Sequence, residues 1–253
     1  MARWTRIRSI DVHPQLWPSR KLLDEGATAE ELFAKQASAV TELYSMHLAH
    51  ADPVPAQTWW IRLKPVVAAH ATRDFQTEPT RVSWSAGEVF NVAMDRAILD
   101  LPDDQRPGQY LDWLQRHLTR LAAARDWPVT GFEQAYANCR EDGVSFVWRG
   151  APKASPNRRF AATPAYHFDS NGDCWASLLV QDRAEELVAQ AGPWDCFPEL
   201  RWIRRSARAL RWIDSTHVHL PVWPEEFAAA WGLAPAYTLA LDETLGIADQ
   251  DPG

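Results

Sequence analysis

The stretch that most constrains how this chain can fold runs from Glu199 to Ile213. Wound at about 3.6 residues per turn, it gathers Arg201, Arg204, Arg205, Arg208 and Arg211 along one wall. Trp202, Ile203, Ala207, Leu210 and Ile213 fall on the other. Such a segment is stable neither fully buried nor fully solvated. The spacing predicts one amphipathic helix through Ile213, resting on an apolar surface. Trp212 lies among the arginines, one turn beyond Arg208.

The charge around this segment is unevenly spread. The net charge is −7, from 26 Lys+Arg against 33 Asp+Glu. Every cation lies at or before Arg211, and seven acids follow it. A neutral body, a cationic helix and an anionic tail are the expected layout. The last five residues, 249–253, are expected to be a disordered tail.

Fourteen tryptophans are scattered from Trp4 to Trp231, too widely for a single site. Most are expected to pack the core, where a buried indole removes a large apolar area from water. Three cysteines, Cys139, Cys174 and Cys196, form no C-x-x-C pair. That argues against a disulfide framework and a zinc knuckle, and for a reducing compartment, the cytoplasm. The basic start, Met1 to Arg8, has no apolar segment behind it, and no stretch reaches the roughly 18 apolar residues of a membrane span.

Hydrophobic periodicity supplies the remaining elements. Thr28 and Glu31 make a capping box for a helix carrying Leu32, Phe33, Ala37, Val40, Leu43, Tyr44 and Leu48. Leu111, Leu114, Leu118 and Leu121 line a second helix, and Thr130 with Glu133 reads as another capping box. Strands are expected at Trp4–His13, Trp59–Leu63, Arg81–Trp84, Glu88–Asp95, Val144–Trp148, His217–Val222 and Tyr237–Leu241. Phe160–Phe168 and Cys174–Gln181 flank the turn Asp169-Ser-Asn-Gly-Asp173 and predict a hairpin. Asp182 and Glu185 are expected to cap a helix ended by Gly192-Pro193, and Pro224 to open a last one before Gly232. Trp59, Ile61, Leu63, Phe90, Val92, Phe146, Trp148, Leu178 and Val180 are the expected inner faces.

These elements predict an α+β fold: a single domain over residues 1–248, with a mainly antiparallel sheet of short strands and five or six helices. The basic loop 150–157, rich in Pro and Ser, is expected to be mobile and is the one candidate internal boundary.

Two constellations carry possible chemistry. His217 and His219, at i and i+2 of a strand, project from one face and suit one metal ion. Asp11 and His13 repeat that spacing, and the four together would suit zinc or iron in a metal-dependent enzyme. Asp169, Asn171 and Asp173 resemble the start of a calcium loop, but Val180 stands where the bidentate Glu belongs. No nucleophile elbow, P-loop, dinucleotide fingerprint or H-E-x-x-H is present.

The second constellation is the arginine wall, Arg201, Arg204, Arg205, Arg208 and Arg211 with Trp212. It can pair with the chain's own acids, bind an acidic protein, or track phosphates. A net charge of −7 disfavours polyanions. The leading expectation is a cytoplasmic protein-binding module, in concrete form an inhibitor or immunity-type protein. It would take another protein as partner, engage no membrane and need no cofactor. The metal-dependent enzyme is the first alternative, with a nucleic-acid-associated protein the second.

Overall fold

The computed structural model describes residues 5–12, 26–56, 58–67, 81–83 and 87–241. The chain divides into two compact units: Met1–Phe146 with Ser170–Gly172, and Val147–Asp169 with Asp173–Gly253. The main stretch of the first unit ends at Phe146, just ahead of the 150–157 segment. The fold is mixed α and β, with five α-helices among the described residues.

The first unit begins with β1 (Thr5–Arg6), β2 (Ser9–Val12), α1 (Ala29–Leu48) and β3 (Pro55–Ala56). Next come β4 (Trp60–Val67), β5 (Arg81–Ser83) and β6 (Gly87–Met94). A 3-10 turn (Arg96–Asp100) precedes α2 (Arg106–Ala124) and α3 (Thr130–Glu141). The four-stranded sheet runs β2-β4-β6-β5. Its first three strands are parallel, and β5 alone is antiparallel. Parallel pairing needs a crossover, and α1 lies in the chain between β2 and β4.

One face of that sheet is closed by Ile10, Val12, Ile61, Leu63, Phe90, Val92 and Met94, all buried. Helix α1 packs on β2 and β4. Its capping box is formed as expected: the Thr28 hydroxyl accepts from the Glu31 amide, and the Glu31 carboxylate from the Thr28 amide. The Tyr44 hydroxyl lies 2.8 Å from the Phe132 carbonyl and 2.7 Å from Gln115 Oε1, joining α1 to α3 and α2. The predicted inner face of α2 is fully buried.

Two expectations fail in this unit. Trp59 is 42% exposed rather than inward, because β4 begins one residue later. Thr130 is not an N-cap; Val129 occupies that place, with no side-chain cap bond. The start of α3 is instead fixed by docking on Asp52. A Cβ at Gly131 would sit 2.3 Å from the Asp52 carbonyl oxygen, and Gln134 bonds both the amide and the carboxylate of Asp52.

The second unit opens with β7 (Val147–Arg149), β8 (Lys153–Ala154), β9 (Ala161–Phe168), β10 (Cys174–Gln181) and β11 (Leu187–Cys196). It continues with α4 (Leu200–Ala209), β12 (Arg211–Trp212), β13 (His217–Pro221), α5 (Glu225–Trp231) and β14 (Ala236–Ala240). One antiparallel sheet has the order β11-β10-β9-β7, with β8 also on β9; a second has the order β12-β13-β14. Along β9 and β10, Ala162, Pro164, Tyr166, Phe168, Cys174, Ala176, Leu178 and Val180 are buried, and the residues alternating with them within each strand point outward.

The predicted hairpin turn is present: the Asp169 amide donates to the Asp173 carbonyl at 3.0 Å, and Asp169 Oδ1 accepts the Asp173 amide at 3.0 Å. The segment 150–157 contains a short strand, β8, rather than a free loop. Its turn is tied by Ser155 Oγ, which donates to Asn157 Oδ1 and accepts the Phe160 amide. The helix expected after Asp182 is a strand. Asp182 Oδ1 does accept backbone amides, those of Ala184 and Glu186, but it closes the β10–β11 turn. The same carboxylate chemistry serves a helix start and a tight turn. The residues beyond Leu241, including 249–253, lie outside the described residues.

Candidate functional site

Helix α4 stands on the second unit through a narrow apolar base. Leu200, Ile203, Ser206 and Ala207 are buried. The Ser206 hydroxyl lies 2.6 Å from the Tyr166 hydroxyl and donates to the Pro221 carbonyl, so the polar atom in that base is satisfied. Burial pushes the Tyr166 phenol well above its usual range, which keeps it neutral. Trp202 Nε1 donates to the Val222 carbonyl at 2.9 Å. Gly150 marks a close approach: a Cβ there would lie 2.8 Å from Pro164 and 2.9 Å from Ala207.

The far wall of α4 is cationic. Arg201, Arg204, Arg205 and Arg208 are exposed. The Arg205 guanidinium sits 5.4 Å over the Trp202 ring. Among the described residues, no carboxylate pairs with any of these four or with Arg211.

The helix does not run to Ile213. It ends at Ala209, and Leu210 adopts extended ψ (131°). Arg211 and Trp212 form β12, paired with His219 and Val218 of β13. Ladder bonds with β13 replace the further turn that periodicity predicted. Ile213, expected inside, is 59% exposed. Trp212 is half-buried and donates its indole N–H to the Lys153 carbonyl at 2.8 Å. Trp212, assigned to partner contact, and Trp202 thus both have their N–H groups engaged within the unit.

The predicted metal ligands are placed as follows. His217 and His219 lie on one half-exposed face of β13, as the alternation required. Nδ1 of His217 is 3.0 and 3.1 Å from the two Asp214 carboxylate oxygens. Nδ1 of His219 is 3.2 Å from the Thr238 hydroxyl. Asp214 accepts the Thr216 amide and hydroxyl and the His217 amide, and these bonds hold its carboxyl far below the usual range. Burial, then Arg211, pushes the His219 imidazole down.

Asp11 belongs to the first unit. Its carboxylate accepts from Arg62 Nε at 2.9 Å, Arg62 Nη2 at 3.1 Å and Trp60 Nε1 at 2.8 Å, which commits its lone pairs. His13 lies outside the described residues. Among the described residues no group of three or more His, Cys, Asp or Glu is placed to hold a metal ion. The cysteines are buried, and burial pushes the Cys139 thiol up to about 12, far from a nucleophile at neutral pH.

One feature escaped the sequence reading. The outer face of β9 and β10 carries an open groove of about 350 Å³, lined by Val147, Ala165, His167, Trp175, Ser177 and Pro193. Its floor is two small residues, Ala165 and Ser177, directly paired across the ladder. Alternation along β9 and β10 was the available signal, because it puts both on the outward face. No family model matches the chain, and neither the curated proteins nor the solved structures contain a match to it.

Proposed function

We propose that this chain is a binding module that captures an acidic partner protein through the arginine wall of α4. One observation carries the reading: four exposed guanidiniums on one helix have no carboxylate partner among the described residues. Charge that a fold does not use is available to a partner, and Arg is enriched at binding hot spots. An inhibitor or immunity-type protein is the concrete form. The net charge of −7 opposes a nucleic acid, because the chain's long-range field repels a dense polyanion.

A photo-crosslinking residue at Arg201, used in the native host, identifies the partner. Calorimetry on the purified pair then compares the parent with Arg204→Glu/Arg205→Glu/Arg208→Glu. The expected result is loss of binding by roughly a hundredfold or more, with an unchanged circular dichroism spectrum. Binding should also weaken as ionic strength rises to about 0.15 M. Equal affinity of the triple variant overturns the proposal. Tighter binding to a single-stranded DNA oligomer than to the crosslinked protein moves the reading to nucleic acid.

A further inference from the structure

We infer that His217 and His219 form a binding site for a first-row divalent transition ion, with copper(II) the tightest occupant. The inference is independent of the arginine wall and assigns the site no reaction. Two imidazoles at i and i+2 of one strand share a face, which is the placement a two-point chelate needs.

The hydrogen bonds orient both rings. A carboxylate only accepts, so the proton of neutral His217 resides on Nδ1, facing Asp214, and the lone pair on Nε2. An imidazole whose Nδ1–H is held by a carboxylate is the arrangement that metal-ligating histidines use. Asp214 itself is fixed by two backbone amides and a hydroxyl, so the orientation is built in before any ion arrives. The Thr238 hydroxyl plays the same part at Nδ1 of His219, accepting from it when Nε2 carries the lone pair.

The electrostatics are balanced. Arg211, opposite His219 in the ladder, opposes a cation, and Asp214 offsets it. Two nitrogens with water completing the shell favour copper(II) over zinc(II) and nickel(II), following the general affinity order for such donors.

The test uses the full chain without an affinity tag. Copper(II) is titrated by calorimetry, and the complex is examined by electron paramagnetic resonance. The expected result is one tight equivalent with nitrogen hyperfine coupling. His217→Ala and His219→Ala should each weaken that equivalent by at least about tenfold, and Asp214→Asn by a smaller factor. The Arg204→Glu/Arg205→Glu/Arg208→Glu variant should bind copper at least as well as the parent, which separates this site from the arginine wall. A titration unchanged in the His217→Ala/His219→Ala variant assigns the copper to other histidines and overturns the inference. So does the absence of a tight equivalent in the parent. His219→Gln, which keeps a polar side chain at that position, guards against a loss caused by local unfolding.

Discussion

The Lys153 ammonium lies 2.5 Å from the carbonyl oxygen of Arg208 and 2.7 Å from that of Leu210. It donates to two carbonyls at the C-terminal end of α4, one of them a helix-end carbonyl without an intrahelical partner. A cation there also complements the helix dipole. One lysine from β8 thus holds the end of α4, while the arginines of the helix point to solvent. Replacing Lys153 by Met keeps the apolar stem and removes these bonds. We expect a loss of about 1–3 kcal/mol, with faster amide exchange over Arg208–Trp212. Unchanged exchange there would refute the capping role.

The Ser45 hydroxyl both accepts the Ile10 amide and donates to the Ile10 carbonyl, each at 2.9 Å. Among the described residues β2 is an edge strand, so these buried groups have no ladder partner there on that side. A helix side chain takes the place of a neighbouring strand. Ser45→Ala strands an amide and a carbonyl in the core. The expected cost is about 1–3 kcal/mol by chemical denaturation, with little change in the denaturant slope.

Gly192 has φ +99°, and a Cβ there would lie 2.6 Å from the Ala176 carbonyl oxygen and 3.1 Å from Ser177 Cα. It sits where the β10–β11 register shifts, between Ala176 and Leu178. Gly192→Ala therefore combines strain at positive φ with a backbone clash. A drop of more than about 2 kcal/mol is expected, together with broadened resonances for Trp175 and Ser177 beside the groove. A variant as stable as the parent would show that β11 can shift without cost.

His117 is buried on α2, its Nε2 3.0 Å from the Ala93 carbonyl oxygen, which also accepts from Trp113 Nε1 at 2.7 Å. Burial pushes its imidazole down from 6.5 to about 4. The folded state therefore binds the proton less readily than the unfolded chain. This contribution is fully present above pH 6.5 and is lost as pH falls through about 4. It amounts to about 3 kcal/mol at most. Unfolding free energies at pH 7, 5.5 and 4 should follow that fall, and His117→Gln should flatten it. An equal slope in the variant assigns the pH dependence to other groups.

Local chemistry was legible in the sequence. Periodicity located α1, α2, the β9–β10 hairpin and β13, because each buries one face, and spacing alone reveals which. The Thr28–Glu31 capping box formed because its partners lie within one turn. That Arg201, Arg204, Arg205 and Arg208 share one wall of a helix followed from their spacing, whereas the exposure of that wall did not. What required tertiary structure was every choice between two local options of similar energy. Asp182 caps a turn instead of a helix because the next strand pairs with β10. Arg211 and Trp212 leave the helix because β13 offers them a ladder. The parallel pairing of β2, β4 and β6, the seat of Asp11 against Arg62 and Trp60, and the placing of Lys153 at the end of α4 join residues far apart in the chain. Sequence spacing carries no record of such contacts. They are set by which surfaces bury together, a property of the folded chain rather than of any segment.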